Sequence, residues 1–106
     1  MTFALVDPRV EFTPHIENGA ALEKGTVIAT LKGPARSLLM GERTALNFMG
    51  RLSGIATLTS QYVKLTDGTR AKVAATRKTT PGLRALEKRA VLAGGGATHR
   101  LSLIHI

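Results

Sequence analysis

The apolar residues of this chain change period once, at Gly33-Pro34, and that change limits the folds open to it. Before it, Val10, Phe12 and Pro14 alternate within the run Val10 to Ile16. Asn18-Gly19 marks a turn, Glu23-Lys24-Gly25 marks another, and Thr26 to Leu31 is rich in β-branched residues. Alternation bounded by turn residues predicts short strands joined by tight turns, so residues 3 to 32 are expected to form a small β unit. After it, Ala45, Phe48, Met49 and Leu52 recur at helical spacing, and Ile55, Leu58, Tyr62 and Leu65 form a second stripe. Residues three and four apart share one face of a helix. Ser53-Gly54 separates the stripes, which predicts two consecutive helices with a break there and Ser53 as N-cap of the second.

Further on, Asp67-Gly68 closes the second helix and Ala71 to Ala75 is a β run too brief for a helix. Thr80-Pro81 reads as an N-cap followed by a first-turn proline. Leu83, Leu86 and Ala90 then give the buried stripe of a third helix that Gly94 stops. Helix, strand, charged loop, helix is how an α/β barrel or a doubly wound sheet begins. One strand and one helix cannot close a parallel layer, so this half is expected to need partners beyond itself. At 106 residues the chain has room for one small domain, which excludes a complete multi-domain enzyme. Its 43% apolar and 21% charged content is that of folded protein. The absence of cysteine excludes disulfides, thiolate metal sites and cysteine nucleophiles. Met1 to Val6 lacks the basic flank and long apolar region of a secretory signal, and no apolar run approaches the ~20 residues of a membrane span. A soluble, cytoplasmic protein without a membrane partner is expected.

The net charge of +8 is concentrated in one segment. Residues 1–69 carry seven Lys and Arg against six acids, whereas residues 70–100 carry eight against Glu87 alone, a net of +7. An anionic partner is therefore to be sought in that third of the chain. Within it, Thr76, Arg77, Lys78, Thr79 and Thr80 directly follow the short β run. Ligands of α/β sheets and barrels bind at the carboxyl ends of strands. Two cations among three hydroxyls suit a phosphate or carboxylate, Arg as a fork and Lys as a point charge. A solvated basic loop fits the spacing equally well. The second cluster is Gly94-Gly95-Gly96-Ala97-Thr98-His99-Arg100, where glycines permit close backbone approach and His99 and Arg100 are placed to grip an anion. A glycine triplet also serves simply as a helix stop. The third element is Glu42-Arg43-Thr44-Ala45-Leu46-Asn47, in which Arg43 alone reads as a surface residue. Paired carboxylates, metal-ligand spacings and a Ser/His/Asp arrangement are all missing.

These three elements, in this order, resemble quinolinate phosphoribosyltransferase. The resemblance runs from about Phe3 to Arg100 and is densest in "GPARSLLMGERTALNFMGRLSGIATLT", "TRKTTPGLRALEK" and "GGGATHR". It departs from the family at Ala75, where Asp usually precedes Thr-Arg-Lys, and at Thr98, where Asn usually precedes His-Arg. The resemblance implies an α/β chain: the end of an N-terminal α/β sandwich domain over residues 1–52, then the start of an incomplete α/β barrel over 53–100. It implies that Thr76, Arg77, Lys78, His99 and Arg100 line a quinolinate pocket, Arg77 and Lys78 being the catalytic pair. Arg43 is implied to reach the active site of the partner in a homodimer. The second substrate is implied to be phosphoribosyl pyrophosphate, with Mg²⁺ bound on its pyrophosphate by acids beyond Arg100. Nicotinate mononucleotide for NAD synthesis is the implied product. By the same comparison the chain is expected to be an internal fragment, inactive alone.

Residues 101–106, Leu-Ser-Leu-Ile-His-Ile, do not continue the family pattern. They match a translated transposase end used in sequencing libraries, so a non-native tail, a sequencing artefact, is expected there. Three other readings stay open. A paralogous phosphoribosyltransferase for a different pyridine carboxylate shares the Arg-Lys-Thr and His-Arg features. A basic nucleic-acid-binding module is opposed by 4% aromatic content and the lack of a stacking platform, so no nucleic-acid partner is expected. Residues 3–32 also resemble the strands of biotinyl and lipoyl carrier domains, without the Met-Lys hairpin that takes the cofactor.

Overall fold

A computed structural model describes residues 1–98. In chain order it contains α1 (Thr2–Val6), β1 (Glu11–Pro14), β2 (Ala29–Lys32), α2 (Ala35–Leu65) and α3 (Arg84–Ala93). The fold is α+β, helices with a two-stranded sheet, in two compact units, Met1–Gly50 and Arg51 onward.

In the first unit β1 and β2 pair antiparallel, from Glu11 opposite Lys32 to Pro14 opposite Ala29. His15 N–H donates to the Ile28 carbonyl at 2.9 Å, and the His15 ring shares a 2.6 Å hydrogen bond with the Thr30 hydroxyl. The expected turn glycines have positive φ, +87° at Gly19 and +88° at Gly25. The alternation of Val10, Phe12 and Pro14 buries only Val10, and all of β1 is exposed. A two-stranded ribbon has too few neighbours to cover a face.

The expected β unit is wrong at its start, because Thr2–Val6 is helical. Five residues do not sustain a helix by propensity, so tertiary contacts hold this one. Phe3 is buried with its ring against Gly41 of α2, where a β-carbon has no room. Asp7 ends α1 in an extended conformation and accepts from the Ser37 hydroxyl at 2.6 Å. It also accepts from the Arg9 backbone at 3.0 Å and from the Arg9 guanidinium at 3.0 and 2.8 Å. Hydrogen bonds from Arg9 first and Ser37 next hold its carboxyl far below the usual aspartate range.

The expected break at Ser53-Gly54 is absent, and α2 runs unbroken through 31 residues. Ser and Gly lower helix propensity by at most ~1 kcal/mol each, whereas proline, which removes a backbone donor, does not occur within α2. The buried stripe also differs from the expected one. Leu58, Tyr62 and Leu65 are exposed, and the covered face is Leu52, Ile55, Ala56, Thr59 and Val63. That face keeps i, i+3, i+4 spacing straight through Gly54. It escaped notice because it runs through a threonine, whose hydroxyl donates to the Ile55 carbonyl at 2.8 Å.

In the second unit the expected strand Ala71 to Ala75 contracts to one parallel bridge, Ala74 with Ala97. Ala75 N–H donates to the Ala97 carbonyl at 2.7 Å and Ala97 N–H to the Val73 carbonyl at 2.8 Å. Parallel strands extend when flanked and covered on both faces, and this pair has no flanking strand among the described residues. The third helix begins at Arg84 rather than after Thr80. Leu83 N–H donates to the Thr80 carbonyl at 3.0 Å and Gly82 has φ +78°. Thr80-Pro81-Gly82-Leu83 is thus a turn with proline second and a positive-φ glycine third, which postpones the helix.

The glycine triplet ends α3. Gly95, at φ +90°, donates to the Leu92 carbonyl at 3.0 Å, and Gly96 donates to the Val91 carbonyl at 2.9 Å. This pair of bonds is the Schellman cap. Gly94 also packs against the Ala56 carbonyl and Thr59 of α2, leaving no room for a side chain. Among the described residues no large side chain is fully buried, and no helix is long and apolar enough to cross a membrane.

Candidate active site

The Ala74 bridge and the Thr80–Leu83 turn fix where the basic loop begins and ends. Ala75 is buried and hydrogen-bonded, and at Thr76 the chain leaves the bridge for solvent. Thr76, Arg77 and Lys78 are exposed, while Thr79 and Thr80 are half-buried. The loop is a folded turn, since Lys78 N–H donates to the Thr76 hydroxyl at 3.2 Å and Thr79 N–H to the Arg77 carbonyl at 3.1 Å.

Three side chains from outside the loop grip it. Arg84, on the first turn of α3, donates through Nη2 to the Arg77 carbonyl at 3.0 Å and through Nε to the Thr79 hydroxyl at 3.1 Å. Glu87, one turn further on, accepts from Thr80 N–H through Oε2 at 3.2 Å. Arg51 donates through one nitrogen to Glu87 Oε1 at 2.7 Å and to the Thr80 hydroxyl at 2.6 Å. Glu87 is buried, and hydrogen bonds from Thr80 and then from Arg51 lower its carboxyl below the usual glutamate range against the opposing cost of burial. An ionised carboxylate accepting such bonds is stabilised in its charged form.

Arg77 and Lys78 take part in no ion pair among the described residues; the two pairs present are Arg9 with Asp7 and Arg51 with Glu87. The segment's single acid is thus neutralised by Arg51, so its cations retain their field for a ligand. Arg43 is exposed on α2 in the Met1–Gly50 unit, beside a shallow groove of about 350 Å³ lined by Leu39, Glu42, Leu46 and Asn47. His99 and Arg100 lie outside the described residues, as does the expected non-native tail. A concavity of about 370 Å³ in the second unit is lined by residues such as Val63, Thr66, Lys72, Val73 and Gly95 and does not include the loop.

The sequence reading missed Arg51 and Glu87 as members of the site. A signal for Glu87 was present: one acid among eight cations is more readily explained by a partner than by chance. Arg51 gave none, because a helical arginine 36 residues away reads as solvated surface. Among the described residues no three carboxylates or histidines gather where a metal ion would bind. The described residues therefore do not fit a Mg²⁺ site.

A cationic loop leaves a parallel bridge and leads through a turn into a helix, the arrangement in which α/β proteins place their ligand sites. Residues 1–53 match the family model described as quinolinate phosphoribosyl transferase, N-terminal domain, and residues 55–106 match its C-terminal domain. The chain belongs to the quinolinate phosphoribosyl transferase family. It is 54% identical, over 95% of its length, to the probable nicotinate-nucleotide pyrophosphorylase [carboxylating] of Bacillus subtilis. It is 45% identical, over 97% of its length, to quinolinate phosphoribosyltransferase [decarboxylating] 1b of Nicotiana tabacum. Among solved structures, NadC from Streptococcus pyogenes superposes with a TM-score of 0.88 at 46% identity, covering 96% of this chain and 36% of that one. The nicotinate-nucleotide pyrophosphorylase from Francisella tularensis gives 0.89 at 40% identity, covering 97% and 37%. The chain spans 35% of the Bacillus subtilis relative and 29% of the tobacco one.

Proposed function

We propose that these residues form part of a phosphoribosyltransferase that joins quinolinate to phosphoribosyl pyrophosphate, yielding nicotinate mononucleotide, pyrophosphate and carbon dioxide for NAD synthesis. The observation that carries the reading is the Thr76–Thr80 loop, in which Arg77 and Lys78 stand exposed and without an ion pair among the described residues while the backbone beneath them is fixed. Quinolinate is a dicarboxylate and its co-substrate a polyanion, so the site must hold several negative charges together. Arg77 binds one carboxylate through its fork and Lys78 supplies a second charge, with Thr76 donating a hydroxyl. The names of the Bacillus and tobacco relatives support the same substrate and product.

In the reaction the pyridine nitrogen forms a bond to the ribose C1 as the bond from C1 to pyrophosphate breaks, the leaving group keeping the electron pair. The 2-carboxylate then departs as carbon dioxide and a proton takes its place on the ring. Arg77 and Lys78 contribute by orienting quinolinate and offsetting its charge, and preorganised charge is the largest source of acceleration in such sites. His99 and Arg100 complete the quinolinate pocket, and Arg43 enters the site of the other subunit of a homodimer. The domain boundary lies at residues 52 and 53, and the complete enzyme works in the cytoplasm with a divalent metal, Mg²⁺, held by acids outside these residues.

A spliced polypeptide tests this, with residues 1–98 of this chain replacing the matched segment of the Bacillus subtilis relative. It is expected to restore growth of a bacterium lacking its own quinolinate-consuming transferase, and Arg77→Ala is expected to abolish the rescue. Rescue that persists in Arg77→Ala, or that depends on another pyridine carboxylate, would refute the assignment.

A further inference from the structure

We infer that Arg84, Glu87 and Arg51 are positioning residues for the anion loop, clamping its backbone so that Arg77 and Lys78 are presented in one fixed arrangement. The assignment rests on the proposed dicarboxylate site only for its functional consequence; the clamp itself is geometric. Three of the four residues from Arg77 to Thr80 are held from outside: Arg77 at its carbonyl by Arg84, Thr79 at its hydroxyl by Arg84, and Thr80 at its N–H by Glu87 and at its hydroxyl by Arg51. Lys78 is the fourth, tied only within the loop through Thr76. The side chains left for a ligand are those of Arg77 and Lys78.

The chemistry of the clamp suits that role. Arg84 uses two separate guanidinium nitrogens on two loop residues, a geometry a lysine's point charge cannot reproduce. Glu87 divides its two oxygens between Arg51 and the Thr80 backbone, so it locks the loop to α3 and through Arg51 to α2. A Glu87 carboxylate already bonded to Arg51 and Thr80 also has less charge free to compete for Arg77 or Lys78 in a segment of net +7. Without the clamp, five polar residues between a one-residue bridge and a turn have little to hold them, and ligand binding must order them. The clamp performs that ordering in advance.

Two measurements separate the clamp from the substrate assignment. Hydrogen–deuterium exchange of the 106-residue chain, read by mass spectrometry at low micromolar concentration, compares the wild type with Arg84→Lys, Glu87→Gln and a control, Arg89→Gln. Arg89 is an exposed cation on the same helix that hydrogen-bonds none of the loop residues. Peptides spanning residues 76–83 are expected to exchange faster by about ten-fold in Arg84→Lys and Glu87→Gln, with α2 peptides and the Arg89→Gln chain unchanged. Loop exchange equal to wild type in both variants overturns the inference. So does loss of protection throughout α2 and α3 in both, because that outcome describes a general fold contact. Steady-state kinetics of the spliced polypeptide supply the functional half: KM for quinolinate is expected to rise about ten-fold or more in Arg84→Lys. A fall in kcat alone with KM unchanged contradicts positioning. If the wild-type splice does not use quinolinate at all, the substrate assignment fails while the exchange result still decides the clamp.

Discussion

Arg77 and Lys78 stand exposed and without a side-chain partner among the described residues, on a loop whose backbone Arg84 holds and beside which Arg51 pairs with Glu87. The sequence singled out Thr76, Arg77 and Lys78 by their place after an apolar run, and resemblance chose between a ligand site and a solvated loop. Truncating a charge-assisted contact to a carboxylate costs ~1.5–3 kcal/mol, so Arg77→Ala in the spliced polypeptide should lower kcat/KM for quinolinate by ten-fold to over a hundred-fold. A change under two-fold contradicts its role. Acid should act through Asp7 and Glu87. Both carboxyls titrate lower in the folded chain than in the unfolded one, so their stabilisation is complete above the unfolded values, about 3.9 and 4.3, and fades as pH falls below them. An acid titration followed by circular dichroism should therefore show Asp7→Asn less stable than wild type near neutrality and the two converging toward pH 2. A constant difference across that range contradicts the assignment of Asp7.

Helix α2 shows what periodicity reveals and what it hides. The helical character of residues 35–65 was legible, whereas its continuity and its covered face were not, because apolar counting skipped Ala56 and Thr59 and read Gly54 as a break. Gly54 meets nothing within 4 Å at its missing β-carbon and sits in helical backbone. Gly54→Ala should therefore stabilise the chain by ~0.5–1 kcal/mol, read as a shift in the urea midpoint. Gly95→Ala should do the opposite, losing ~1–2 kcal/mol, because φ +90° is costly for a residue with a side chain. Equal effects at the two glycines would show that the cap has been misread. The Pro81-Gly82 turn was legible as punctuation, but proline at a turn's second position and proline at a helix start share one signature. The glycine three residues after Thr79 decided between them.

At the scale of the molecule, exposed apolar surface is the dominant property. Leu5, Leu39, Met40 and Leu65 are each at least 63% exposed, and the chain spans about a third of its relatives' length. The sequence reading expects such a shortage from the parallel layer that one strand cannot close, and among the described residues that run forms one bridge, Ala74 with Ala97. What it could not place were the long-range contacts, Asp7 with Ser37 and Arg51 with Glu87, which join residues 30 and 36 apart through polar side chains that no periodicity marks. The 106-residue chain alone should bind a hydrophobic dye strongly, self-associate with rising concentration and show no transferase activity. Turnover by the isolated chain contradicts this. The central claim is that residues 76–80 carry the quinolinate site. It is tested most directly by release of labelled carbon dioxide from quinolinate labelled in its 2-carboxylate, using the spliced polypeptide and phosphoribosyl pyrophosphate. Label release by the wild-type splice and its loss in the Arg77→Ala, Lys78→Ala double variant, with helix content preserved in both, is the predicted result. Undiminished release from the double variant would contradict the account.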